Sequence, residues 1–135
     1  MEKVHTMRVL FGDTDAMGVA YYGRYLRWFE VGRTELMRKW GFPYSNFADR
    51  GIHLPVRRAE CVYLLPARYD DEIHIFSRIE DLKGVRVKFA YRIKKENILL
   101  TSGETEHVFT DAEGNVLRPP KEIISILKRV RDARP

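Results

Sequence analysis

Residues 22–40 read YGRYLRWFEVGRTELMRKW. Leu26, Phe29, Gly32/Arg33, Leu36/Met37 and Trp40 recur at steps of three and four residues, the spacing of one apolar helix face, and predict a helix of about 19 residues. Arg24, Arg27, Val31, Glu35 and Arg38 fall on the opposite, mostly charged face. Glu35 and Lys39 supply an i,i+4 pair there. Gly41-Phe42-Pro43 ends the pattern, with glycine at the exit and proline soon after. Gly32 lies inside the apolar stripe, where glycine costs about 1 kcal/mol of helix propensity relative to alanine. That position calls for close backbone contact, as with a sheet wrapped around the helix.

The segments on either side have the other period. HTMRVLF, residues 5–11, carries β-branched and apolar residues before a Gly-Asp break and reads as a first strand. Residues 43–54 read as a loop with one helical turn. Strands are then expected at 56–65, at 72–82 with Ile73, Ile75 and Ile79 on one face, at 85–94 and at 98–110. In 85–94 the alternation is cleanest: Val85, Val87, Phe89, Tyr91 and Ile93 share one side, and Arg86, Lys88, Ala90, Arg92 and Lys94 form a basic other side. Lys83-Gly84, Lys95-Glu96-Asn97 and Asp111–Asn115 are turn signals. Strands joined by such short turns make an antiparallel meander with one packed face. The cover for that face is the helix of residues 22–40, so the expected fold is α+β, an antiparallel sheet wrapped around one long helix. A last helix follows Pro119-Pro120, with Ile123, Ile124, Leu127 and Val130 inward and a basic end, KRVRDAR.

Composition bounds the rest. The 135 residues, 44% hydrophobic and 32% charged, fit one domain spanning 1–135. No apolar run reaches the roughly 20 residues of a membrane span, and the first residues lack a signal-peptide core, so a cytoplasmic location is expected. The single Cys61 leaves no intrachain disulfide and no cysteine-based zinc site, and reads as a small buried apolar residue. His5, His53, His74 and His107 are scattered without metal-binding spacing. The net charge of +5 suits an anionic partner: nucleic acid, lipid headgroups or a phosphorylated small molecule. It equally suits a soluble surface.

The chemistry-bearing stretch is FGDTDAMG, residues 11–18. As a calcium loop it fails, because the fifth position is Met17 and the twelfth, where a bidentate glutamate belongs, is Arg24. Aspartate-based phosphotransfer favours parallel strand–helix units, which the later hairpins oppose. A third arrangement remains. A strand ends, two carboxylates follow, Gly18 permits an unusual turn, and a helix opens at Tyr22. The N–H groups of a helix N-terminus stabilise an oxyanion while a nearby carboxylate acts as base or nucleophile, which suits attack on a carbonyl. Either aspartate could be the reacting one, and the other would cap a turn or pair with an arginine.

FGDTDAMGVAYYGRYLRWFEVGR resembles the signature of the 4-hydroxybenzoyl-CoA thioesterase family of hotdog-fold proteins, including the acyl-CoA thioesterases associated with the Tol-Pal system. The pattern D-x-D-x-x-G-x-x-x-[YF]-x-x-Y-x-x-[FWY]-[FLM]-E is met at Asp13, Asp15, Gly18, Tyr22, Tyr25, Trp28, Phe29 and Glu30, and AECVYLLPARYDDEI, residues 59–73, is similar to the family's central strand and connection. The resemblance implies a hotdog fold, hydrolysis of an acyl-CoA to a carboxylic acid and free coenzyme A, no metal, and no cofactor beyond the coenzyme A of the substrate. It implies Asp15 as catalytic carboxylate, by direct attack or by activating water, Gly18 in the turn beside it, and the Tyr22 backbone N–H polarising the carbonyl. Coenzyme A maps to Lys83, Gly84, Arg86 and Lys88, with Arg57 and Arg58 as weaker candidates. Asp13 reads as a partner of the turn, and Glu30 as an ion-pair or subunit-contact residue. A homo-oligomer, dimer or dimer of dimers, is implied, with sites between subunits.

Where many Tol-Pal-associated members carry His-x-Asn-Tyr, this chain has Tyr22-Gly23-Arg24-Tyr25. Two other classes follow from the same features: a non-catalytic acyl-CoA-binding hotdog protein, and a basic nucleic-acid-binding module. The second is opposed by Phe89 and Tyr91, which alternate away from Arg86 and Lys88, so no aromatic interleaves with the basic face. Neither nucleic acid nor membrane is expected as a partner.

Overall fold

The computed structural model describes residues 1–133. In chain order it has β1 (Glu2–Arg8), a 3₁₀ turn (Phe11–Asp13), α1 (Arg24–Lys39), α2 (Tyr44–Asp49), β2 (Val56–Tyr63), β3 (Glu72–Lys83), β4 (Arg86–Lys95), β5 (Ile98–Val108) and α3 (Lys121–Asp132). The strands form one sheet in the order β1-β3-β4-β5-β2, antiparallel throughout. β3, β4 and β5 are the expected meander. β2 passes to the far edge and pairs with β5, and β1 closes the other edge beside β3. α1 lies across one face of the sheet with α3 next to it against β3, the hotdog arrangement. Among the described residues no helix is long and apolar enough to cross a membrane.

α1 has 16 residues rather than about 19, and its stripe is rotated from the expected one. Tyr25, Trp28, Phe29, Gly32, Leu36 and Met37 are buried. Leu26 is 43% and Trp40 44% exposed. The cause is the contact made by Gly32, where an added Cβ would lie 3.0 Å from Ile75 Cγ2 and 3.2 Å from Tyr91 Cδ1. The helix is therefore pressed on the sheet along its Gly32 line, and Leu26 stands about 120° around the axis from it. Trp40 lies at the C-cap, where its indole N–H donates to Glu2 Oε1 at 2.9 Å. The exit is a Schellman motif: Gly41 takes φ +83, its N–H donates to Arg38 O, and Phe42 N–H donates to Met37 O.

β1 starts and ends earlier than residues 5–11. After Arg8 the chain leaves the ladder, and Leu10 and Phe11, apolar in sequence, are 62% and 76% exposed. The interior faces of β3 and β4 follow the alternation: Ile73, Ile75, Ile79, Val87, Phe89, Tyr91 and Ile93 are all buried. In α3, Ile123, Leu127 and Val130 point inward. Arg134, the last residue of the run KRVRDAR, lies outside the described residues.

Two features inside the core were not readable as periodicity. Phe29 stacks on Tyr91 with ring centroids 4.4 Å apart and planes 4° from parallel, and its Cε2 and Cζ atoms meet Gly103 of β5, the residue paired with Tyr91. A Cβ at Gly103 would overlap both the Phe29 ring and the Glu60 carbonyl oxygen. The second feature is a directed polar chain. His107 is fully buried, and its Nδ1–H donates to Leu54 O at 2.8 Å. Its Nε2 then accepts from Thr105 Oγ1 at 2.8 Å, leaving that hydroxyl to accept from Tyr91. Burial, with a smaller push from the Arg33 charge, lowers the His107 pKa from 6.5 to about 4.

Gly103→Ala is expected to destabilise the protein by roughly 1–3 kcal/mol, the usual range for overpacking, in urea unfolding. His107 gives an acid dependence of definite sign. The unfolded chain takes up a proton near pH 6.5 and the folded chain only near pH 4. The stability due to the neutral ring is therefore complete above about pH 6.5 and is lost progressively down to about pH 4, by about 3 kcal/mol in total. Urea titrations at pH 7 and pH 5 are expected to show a smaller loss for His107→Phe than for the unchanged protein.

Candidate active site

Beyond β1 the backbone is pinned to the loop before β3: Val9 N–H donates to Asp71 O at 2.9 Å and Asp70 N–H to Val9 O at 2.8 Å. The chain then folds into the 3₁₀ turn. Asp13, 8% exposed, is its organiser. Its Oδ2 accepts the Leu10 N–H at 2.8 Å, its carbonyl accepts the Tyr21 N–H at 2.8 Å, and its Oδ1 is 3.5 Å from Arg24 Nε. Arg24 also donates to Gly12 O at 3.2 Å. The first aspartate thus ties both ends of the loop to the first turn of α1, as the role of turn partner requires.

Asp15 is different. It opens a tight turn in which Gly18 N–H donates to Asp15 O and Asp15 N–H donates to Val19 O, both at 2.9 Å. Gly18 has φ +77, a conformation side chains rarely adopt, so its contribution is to the turn's shape. The Asp15 side chain is exposed. Its Oδ1 accepts the Met17 N–H at 2.8 Å, which fixes the carboxylate's direction and leaves the other oxygen open to the cleft.

The helix start is shifted from the expected Tyr22. Tyr21 O accepts the Arg24 N–H at 2.9 Å, Gly23 is the N-cap, and α1 begins at Arg24. Tyr22 therefore stands one residue before the cap. Among the described residues neither the Tyr22 nor the Gly23 N–H has a hydrogen-bond acceptor. An open cleft of about 460 Å³ is lined by Asp15, Gly12, Gly23, Arg24 and Arg27. On the other side of this turn, Tyr22, Tyr25, Tyr63, Leu64 and Leu65 line a largely apolar pocket of about 230 Å³. Tyr63 donates its hydroxyl proton to Tyr22 O at 2.8 Å. Desolvation, then the neighbouring Cys61 thiol, raises the Tyr63 pKa, and burial likewise raises that of half-buried Cys61. Both groups are protonated at neutral pH.

Lys83, Gly84, Arg86 and Lys88 occupy the β3–β4 hairpin, with Lys83 opposite Arg86 and Gly84 at φ +60. Asp15 belongs to the opposite end of the sheet, where the loop is held beside Asp71 and the first residues of β3. The 12 residues of β3 separate the two ends, roughly 35–40 Å at strand rise. One chain does not bring the two sets of residues together. Nor is the outer side of β4 uniformly basic: Arg86 is 3.6 Å from Glu106, Lys88 lies opposite Asp81 and Glu106, and Lys94 sits over the Phe76 ring. Cross-strand carboxylates, invisible in a single strand's alternation, neutralise much of it. Arg58 is likewise paired, with Glu60 at 3.6 Å. Among the described residues no group of three or more His, Cys, Asp or Glu is placed to hold a metal ion.

Sequence reading missed Tyr63, Leu64, Leu65 and Arg27. By periodicity Arg27 falls on the mostly charged helix face opposite the apolar stripe. For β2 the available signal was weak alternation: Val56, Val62 and Tyr63 are each close to half exposed, so both faces and the outer edge of the strand are open.

The structure thus presents an exposed aspartate in a cleft beside backbone N–H groups that have no acceptor among the described residues, on a sheet wrapped around one helix. Residues 9–128 match the Thioesterase-like superfamily, and the chain belongs to that family. It is 34% identical over 125 residues to the acyl-CoA thioester hydrolase YbgC of Escherichia coli, covering 91% of this chain and 93% of that one. Among solved structures it is similar to a gentisyl-coenzyme A thioesterase, with TM-score 0.84, 28% identity and coverage of 93% and 99%. A hypothetical protein of Aquifex aeolicus has TM-score 0.86 and 34% identity, with coverage of 91% and 97%.

The two aspartates are expected to separate in stability. Asp13→Ala removes a buried carboxylate that holds the Leu10 N–H and Arg24, and is expected to cost about 1–3 kcal/mol in urea unfolding. Asp15→Ala, at an exposed turn, is expected to stay within about 0.5 kcal/mol of the unchanged protein.

Proposed function

We propose that the protein hydrolyses an acyl-CoA thioester to a carboxylic acid and free coenzyme A, with Asp15 as the catalytic carboxylate. The single observation that carries this reading is the Asp15 side chain, exposed and oriented by the Met17 N–H, sharing a cleft with the helix start. Family membership and the names of the relatives support the same chemistry.

In the reaction the thioester carbonyl lies toward the unpaired N–H groups ahead of α1, with the Tyr22 N–H as donor, and the charge that develops on its oxygen is stabilised by them and by the positive end of the helix. Asp15 either takes a proton from the water that attacks the carbonyl carbon or attacks that carbon itself. Collapse of the tetrahedral intermediate breaks the C–S bond and releases coenzyme A as thiolate, which takes a proton from solvent. In the direct route the mixed anhydride is then opened by water. Gly18 holds the turn that aims the carboxylate.

The acyl group is placed in the apolar pocket of Tyr22, Tyr25, Tyr63, Leu64 and Leu65. Coenzyme A carries several negative charges, and Lys83, Gly84, Arg86 and Lys88 are proposed to receive it from a second copy of the chain. The two-sided exposure of β2 at a sheet edge supports that assembly, a dimer or dimer of dimers, because an unpaired edge with Val56, Val62 and Tyr63 exposed invites a partner. The substrate class goes with a cytoplasmic location.

Asp15→Asn is expected to lower kcat/KM on a panel of short, long and aromatic acyl-CoAs by at least about 100-fold, with free thiol as the readout. An unchanged rate would refute the assignment, and coenzyme A binding without turnover by the unchanged protein would make it a binding protein instead. Single-turnover hydrolysis in heavy-oxygen water identifies the direct route when label enters the Asp15 side chain, which happens when water opens the anhydride at the aspartyl carbonyl carbon. Trapping the acyl-enzyme with hydroxylamine covers opening at the acyl carbon.

A further inference from the structure

The peptide linking Tyr22 to Gly23 carries two functional ends. Its carbonyl oxygen, on Tyr22, accepts the Tyr63 hydroxyl proton at 2.8 Å. Its N–H, on Gly23, has no acceptor among the described residues, and it is Gly23, not Tyr22, that lines the cleft holding Asp15. We infer that the Gly23 N–H is a second oxyanion donor and that Tyr63 is the positioning residue that orients and strengthens it. This inference rests on the assignment of Asp15 as the catalytic carboxylate.

Orientation comes from a braced ring. Tyr63 packs edge-on against Tyr25, with centroids 5.0 Å apart and planes at 85°. Tyr25 is anchored in turn: its hydroxyl oxygen accepts the Ala67 N–H at 3.1 Å, and Ala67 O accepts the Ala20 N–H at 2.8 Å. The same brace therefore reaches the strand-like segment that closes the Asp15 turn, where Thr14 bridges Ala20. A peptide plane held this way does not need to rotate as the oxyanion forms, which is what makes preorganised donors effective. Strength comes from polarisation. A hydrogen bond accepted by an amide oxygen draws charge away from the nitrogen and makes its N–H a better donor, by roughly 10–30% per bond.

Glycine at position 23 fits the same role. A Cβ there would lie 3.0 Å from Tyr21 Cε2 and 3.3 Å from Cδ2, so a side chain would push against the tyrosine ring that walls the cleft beside the N–H.

Tyr63→Phe tests the inference, because the ring and its packing on Tyr25 are kept while the donor is lost. Tyr63 is 48% exposed, and the variant is expected to fold with a nearly unchanged Tm. The expected result is a kcat lower by roughly 5- to 30-fold with KM within about twofold, the split produced by losing a group that acts only in the transition state. Two inhibitors supply a second readout. An acyl-CoA trifluoromethyl ketone, which presents a tetrahedral oxyanion, is expected to bind the variant roughly 5- to 30-fold more weakly. A thioether analogue without the carbonyl is expected to bind both proteins alike. Unchanged kcat and ketone affinity in Tyr63→Phe, with Asp15→Asn inactive, would overturn this inference alone. Weaker binding of the thioether with kcat retained would make Tyr63 only a wall of the acyl pocket and would also overturn it. Full activity in Asp15→Asn would instead remove the site assignment beneath it.

Discussion

The Phe29 ring stacks on the Tyr91 ring at 4.4 Å and sets its Cε2–Cζ edge over the bare backbone of Gly103, the residue paired with Tyr91 on the next strand. That seat sets how deeply and at what rotation α1 is embedded, and the rest of the molecule depends on it. One turn further on, Gly32 brings the helix axis close enough for Ile75 and Tyr91 to meet its backbone. One turn earlier, Tyr25 is carried into contact with Tyr63 on β2 and with the loop before β3. The depth of the helix is thus transmitted to its own N-terminus, where the Tyr22 and Gly23 N–H groups have no acceptor among the described residues. Close packing makes such transmission possible, since a core at crystal-like density has little room for independent shifts.

The acidic loop divides its work between a buried and an exposed carboxylate. Asp13 is enclosed by backbone donors and by Arg24, and its interactions run to both ends of the loop. Asp15 receives one N–H and faces the cleft. The two differ by two positions in a local turn, and the turn exists because Gly18 takes a conformation unfavourable to other residues. A buried carboxylate supports an exposed one, and Arg24 and Arg27 contribute positive charge along the same side of the helix start.

The two ends of the sheet are specialised in different ways. The Asp15 end combines backbone donors, an anion and an apolar pocket, while the β3–β4 hairpin presents lysine and arginine among cross-strand carboxylates. Within one chain 12 residues of β3 lie between them. The proposed assembly would join them, and β2, paired on one edge only and exposed on both faces, is the surface that proposal uses.

Local signals in the sequence determined much of this: the long helix, the Gly41 exit, the meander turns, the inward face of β4 and the unusual turn at Gly18. Each depends on residues within about four positions of one another, where propensity and period act directly. Tertiary structure alone decided the rotation of α1, which follows from Gly32 and Phe29 meeting residues more than 40 positions away. It also decided the edge position of β2, the neutralised outer face of β4, the burial of His107 and the pairing of Tyr63 with Tyr22. In each of these the decisive partner is distant in the chain, and a one-dimensional pattern carries no information on which distant group will supply the hydrogen bond, the counter-charge or the missing volume.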